Sequence, residues 1–185
     1  NVNKCVPIFL PIFLPLLLIL AACQGAPHVQ TGENAEVIEG HLVRVDHAHV
    51  KLAYVDPNVD FTRFTAILLT PLGVDNVEIV QPASSPAVPG RHEWALTEDD
   101  KQRLQRDFQS AMRQQLGEKG GYPIVDAPGD HVLRISAILT RIAPTAPKDD
   151  FRSRPSGRSK VFSEGAGDLD VTVTFSDSSS GEVLA

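Results

Sequence analysis

Hydrophobic positions change their spacing several times along the chain, and each change marks an element. The first apolar run is continuous: residues 6–22 read Val-Pro-Ile-Phe-Leu-Pro-Ile-Phe-Leu-Pro-Leu-Leu-Leu-Ile-Leu-Ala-Ala, with no charge between Lys4 and Glu33. That is shorter than the ~20 residues of a comfortable membrane span, and three prolines weaken it as a helix. Residues 24–40 are small and polar, with Gly25, Pro27, Gly32 and Gly40, and read as a flexible tether. In residues 41–55, valines and leucines are interrupted by histidines and charges, which suggests an extended segment.

Asp56-Pro57-Asn58 is a turn signal. Phe64-Thr65-Ala66-Ile67-Leu68-Leu69-Thr70 follows as a strand. Its apolar run does not alternate, so it is expected to be central and buried on both faces. Residues 81–90, rich in Pro, Ser and Gly, form a loop.

The clearest helix covers residues 97–119. Thr97 can cap it, and Glu98, Asp99 and Asp100 favour its positive end. Leu104, Phe108, Ala111, Met112 and Leu116 fall on one face, and Gly120-Gly121 ends it. Residues 122–125 make a short strand, and residues 132–142 a longer one with Leu133, Ile135, Ala137 and Leu139 on one face. Leu169, Val171, Val173 and Phe175 alternate strictly with polar residues, the period of a half-buried strand. Asp177-Ser178-Ser179-Ser180-Gly181 is a hairpin turn, and residues 182–185 begin a return strand. Four residues close a sheet poorly, so the natural chain is expected to run on.

The predicted class is α/β (α+β): a mixed β-sheet with one main helix packed on one face, β-α-β followed by antiparallel strands. A strand, a helix and a strand in series imply a crossover between parallel strands. The expected organisation is a leader at 1–22, a tether at 23–40 and a single domain at 41–185, truncated at its C-terminus.

The end of the apolar leader carries the sharpest motif. Leu20-Ala21-Ala22-Cys23 has the form of a lipobox, with one positive charge, Lys4, ahead of the apolar run. Its chemistry needs this order. The Cys23 thiol takes diacylglycerol, the small residues let the backbone enter a peptidase cleft, and cleavage falls between Ala22 and Cys23. The freed amine can then be acylated, with fatty chains of the palmitate type. Two or three chains give stable anchoring where one is marginal. By the convention of Gram-negative lipoproteins, Gln24 in place of Asp directs the product to the outer membrane, facing the periplasm. The other cysteine, Cys5, leaves with the leader, so the mature domain has no disulfide.

Composition narrows the partners. Net charge is −6, and removing Lys4 with the leader makes the mature part more acidic still. An acidic domain gains nothing from a phosphate backbone, so nucleic acid is not an expected partner. The expected partners are the membrane, through the lipid on Cys23, and an envelope protein or the cell-wall polymer.

Candidate chemistry is thin. On a strand, His47 and His49 would share a face beside Asp46, with His41 upstream. Two ligands do not make a metal site, and His92 or His131 would have to join them. Asp75-Asn76-Val77-Glu78 and Asp168-Leu169-Asp170 offer oxygens without the spacing of a calcium loop. No serine sits in a Gly-x-Ser-x-Gly elbow, and no phosphate-binding glycine loop occurs, so no catalytic residue and no cofactor are expected. Arg152, Arg154, Arg158 and Lys160, between Phe151 and Phe162, could touch an anionic lipid or wall surface. The leading expectation is a non-catalytic envelope lipoprotein, a binding or structural module. The alternative is a metal-dependent hydrolase using His47 and His49.

Three stretches carry a family resemblance. They are Tyr54-Val55-Asp56-Pro57 with Asp60-Phe61-Thr62-Arg63-Phe64; Gly121-Tyr122-Pro123-Ile124-Val125-Asp126-Ala127-Pro128-Gly129 followed by Val132-Leu133-Arg134-Ile135; and residues 177–185 with Gly181-Glu182-Val183-Leu184. In their order they resemble the bacterial lipoprotein family called domain of unknown function 3313. The resemblance implies a lipoprotein, this fold, and a further strand and helix beyond residue 185. It supplies no activity.

Overall fold

A computed structural model describes residues 25–82, 93–145 and 167–185. Two β-sheets make up the structure. The N-terminal one is antiparallel and built on β3 (Leu42–Asp46). β1 (His28–Val29) and β2 (Val37–Ile38) pair along one edge of β3, and β4 (Tyr54–Val55) along the other. Residues 28–40 are therefore not a tether, as their small polar composition suggested. Backbone pairing recruits them, and Gln30 fixes the turn: its amide accepts from the Glu36 N–H at 2.7 Å and donates to Asp46 at 2.9 Å.

The main sheet is mixed. β8 (Val132–Ala143) is its spine. β5 (Ala66–Leu69) and β6 (Glu78–Ile79) run parallel to one edge of β8, end to end, joined by a bridge from Gly73 to Ile138. β7 (Ile124–Val125) adds in parallel on the outer edge of β5. β9 (Asp168–Asp177) runs antiparallel along the other edge of β8. The strand–helix–strand unit thus links the parallel strands β5 and β7, and the antiparallel pair follows it, as the order of elements predicted.

Helix α1 (Glu98–Met112) continues as a π-helical segment through residues Arg113–Lys119. Thr97 caps it in a reciprocal box with Asp100: the Thr97 hydroxyl accepts from the Asp100 N–H, and the Asp100 carboxylate accepts from the Thr97 N–H. At the far end, Gly121 takes a φ of +75° that a side chain would resist, and Tyr122 N–H reaches back to the Leu116 carbonyl at 3.1 Å.

The predicted apolar helix face meets the sheet in two patches. Leu104 and Phe108 pack on Leu72, Val74, Ala137 and Leu139. Met112 and Leu116 pack on Ile67, Leu69 and Ile135. β5 is central, but only Ile67 and Leu69 are buried, while Ala66 and Leu68 on the opposite face stay half-exposed. The expectation of burial on both faces fails because, among the described residues, the one long helix lies on one side. Phe108 is half-buried, so Phe108→Ala should cost about 3 kcal/mol, the low end for loss of a core aromatic, in urea denaturation. A near-neutral result would contradict this helix face.

Residues 182–185 join the two sheets. Leu184 N–H donates to the Phe175 carbonyl at 2.8 Å on β9, and Asp56 N–H, just beyond β4, donates to the Leu184 carbonyl at 2.9 Å. The Leu184 side chain is fully enclosed. The turn before it is held by Asp177, whose carboxylate accepts from the Ser179 and Ser180 N–H groups and pairs with Arg63 at 2.8 Å.

Candidate functional site

The sequence-predicted site residues scatter. Ala22, Cys23, His92, Arg152, Arg154, Arg158 and Lys160 lie outside the described residues. His47 and His49 are described, but the premise of a shared strand face does not hold. β3 ends at Asp46, and His47 takes a left-handed φ of 56°, so the backbone turns away before either ring can be aligned. The His47 ring instead lies 5.5 Å from that of His28, tilted by 40°. His131 also has a positive φ and sits in the turn before β8. Asp170 faces Arg141 at 3.6 Å as a strand-face ion pair.

One cluster was not foreseen. His41, Asp56 and Glu182 bring a ring nitrogen and two carboxylate oxygens within 4.8 Å of one another. His41 stands at the start of β3, Asp56 after β4, and Glu182 at the start of the closing segment. The spread would suit a cation, but the ring nitrogens are committed elsewhere. Nδ1 lies 3.0 Å from the Glu39 carbonyl, and Nε2 lies 2.9 Å from the Val183 carbonyl. Carbonyls only accept, so making both bonds takes a donor at each nitrogen, which only the imidazolium has. A metal needs the opposite, a free imidazole lone pair. Asp56 is engaged too, its carboxylate accepting from the Asn58 N–H at 2.8 Å.

A second polar group decorates the small sheet. Glu36 accepts from Arg44 at 2.7 Å and from the Tyr54 hydroxyl. The Tyr54 bond, then the Arg44 bond, hold the Glu36 carboxyl below its usual range. All three side chains are solvent-accessible and satisfied by one another, which makes a cross-strand ladder rather than a reactive centre.

The apolar features are more suggestive. A groove of about 390 Å³ runs between α1 and the sheet, walled by Trp94, Leu96, Leu104, Ile142 and Leu169, with Asp100 and Arg103 at its rim. Gln81, just after β6, clamps the Trp94 backbone, donating to its carbonyl and accepting from its N–H, each at 2.8 Å. From Leu169 the apolar surface continues along β9. Leu169, Val171 and Val173 point to the helix side of the sheet yet are 62%, 46% and 41% exposed. Their period predicted the strand but not this exposure. Among the described residues, the outer edge of β9 is met only near its end, by residues 182–185. Among the described residues, no helix is long and apolar enough to cross a membrane.

Comparison with known proteins gives one result. The profile of a family described as a protein of unknown function, DUF3313, matches residues 42–185. No curated protein and no solved structure matches the chain. The matched span runs from the first residue of β3 to the closing segment and takes in all of the main sheet and helix. The chain therefore belongs to the family of domain of unknown function 3313.

Proposed function

We propose that this protein is a lipid-anchored module of the bacterial envelope, held at the outer membrane through Cys23, that binds another envelope protein without catalysis. The observation that carries the binding role is the exposed apolar row Leu169, Val171 and Val173, continuous with the groove beside α1. Contiguous apolar surface of this kind marks an interaction site more often than isolated exposed residues do. The lipobox Leu20-Ala21-Ala22-Cys23 supports the anchor.

The first strand begins at His28, so the chain between the lipid and the fold is short. At 3.3–3.6 Å per residue it spans at most roughly 18 Å. The domain would be confined close to the bilayer, where a weak partner gains from effective concentration.

A photo-crosslinking residue at Val171, introduced in cells, tests this reading. The expected result is a discrete adduct with an envelope protein, absent when the same residue replaces Gln102 on the exposed side of α1. Equal labelling at both positions, or none at Val171, would contradict it.

A further inference from the structure

His41 occupies an unusual position: it touches both sheets. Its ring is placed by the left-handed turn at Glu39 and Gly40, with φ of 51° and 79°, that joins β2 to β3. From there, Nδ1 faces the Glu39 carbonyl of its own turn at 3.0 Å, and Nε2 faces the Val183 carbonyl of the closing segment at 2.9 Å. Val183 sits between Glu182 and Leu184 on the outer edge of β9. The same segment accepts the Asp56 N–H at the Leu184 carbonyl. Among the described residues, a backbone bond, an enclosed leucine and a histidine hold the seam between the sheets.

We propose that His41 is a proton-operated clasp, closed as the imidazolium and loosened as the neutral ring, that sets how firmly residues 182–185 fill the outer edge of β9. Two acceptors face its two nitrogens, and a neutral imidazole has only one N–H. Losing the proton therefore sets a nitrogen lone pair against a carbonyl oxygen and breaks one of the two bonds. The charged groups facing the ring act in the same sense. They are Asp56 from beyond β4 and Glu182 from the closing segment, both acidic. The Val183 carbonyl, then the Glu39 carbonyl, raise the affinity of His41 for its proton. Asp56 and Glu182 add to this, and partial burial opposes it.

The direction of the pH effect follows from that shift. The proton is held more tightly in the fold than in the unfolded chain. The clasp is therefore complete below the ordinary histidine value of about 6.5 and is lost as pH rises through the raised folded value.

The test uses the full chain in detergent micelles. Imidazole resonances are titrated by NMR, with His41 assigned by its loss in His41→Gln. In parallel, amide exchange of the 182–185 segment is followed by mass spectrometry and corrected for the intrinsic pH dependence. The His41 midpoint should lie above about 6.5, and protection of Leu184 should fall as pH rises, by about tenfold for each unit by which the midpoint is raised. In His41→Gln, whose amide does not titrate, this extra pH dependence should vanish. Should that variant fail to fold, Glu182→Gln carries the test, because removing a facing charge should lower the His41 midpoint. A midpoint at or below 6.5, or Leu184 protection that ignores pH in the unaltered chain, would overturn the proposal. So would a pH dependence that persists in His41→Gln, or a midpoint unmoved by Glu182→Gln.

Discussion

Leu184→Ala is expected to destabilise the fold by about 2–5 kcal/mol, the range for removing a buried leucine and leaving a cavity. Leu184 is the most enclosed large side chain among the described residues. Its backbone is bonded on one side to Phe175 on β9 and on the other to Asp56 beyond β4, so the residue is held from both sheets. Relaxation into the void would have to move β9 or the turn after β4. Asp56 is itself tied down, since its carboxylate holds the Asn58 N–H and its carbonyl holds the Val59 N–H. The cost should therefore fall in the upper half of that range. Urea denaturation followed by the fluorescence of the single tryptophan, Trp94, measures it. A loss under about 1 kcal/mol would mean that the seam collapses freely and is no core.

Cys23→Ser is expected to abolish stable membrane anchoring. Serine offers no thiolate for the diacylglycerol, and a peptidase that acts on the lipidated cysteine loses its substrate. The variant should either accumulate with its leader uncut or appear in the soluble fraction. Anchoring by acyl chains is cumulative at ~0.8 kcal/mol per buried CH₂, so a variant that is cut yet carries no chains keeps no acyl anchor. Fractionation followed by immunoblotting reads the outcome. A variant trimmed to mature size that still sediments with membranes would show that something other than Cys23 holds the protein there.

The long elements of the main sheet, β8, β9 and α1, were legible because they obey strong local periods. Residues Leu133, Ile135, Ala137 and Leu139 alternate in sequence and share the helix-facing side of β8, where all but Leu133 are buried. What periodicity could not supply was coverage. A helix with its side chains is ~10–12 Å across and strands are ~4.8 Å apart, so one helix shields about two strands. α1 lies over β5 and β8, and β9 with its alternating valines falls outside its shadow. Among the described residues, one long helix lies over a wider sheet, which leaves this row exposed.

The small sheet was hidden for a different reason. β1 and β2 are two residues each, too short to show a period, and they are recruited by the backbone of β3 and by Gln30. The turn at His47 had no local signal, because nothing in Asp46-His47-Ala48-His49 demands a left-handed residue. The His41 cluster was out of reach of any local reading. Its partner carbonyl on Val183 is 142 positions away, and only the folding of the closing segment between the sheets brings the two together. The same closing segment was legible as a return strand, from the turn Asp177-Ser178-Ser179-Ser180-Gly181, but its role as the seam was not.

The state of the mature N-terminus decides whether lipid holds the domain at the membrane. Mass spectrometry of the protein extracted from membranes should find a chain beginning at Cys23 and carrying a thioether-linked diacylglycerol, with or without an amide-linked acyl chain. A chain that begins elsewhere, or an unmodified Cys23 in the membrane-extracted protein, would contradict it.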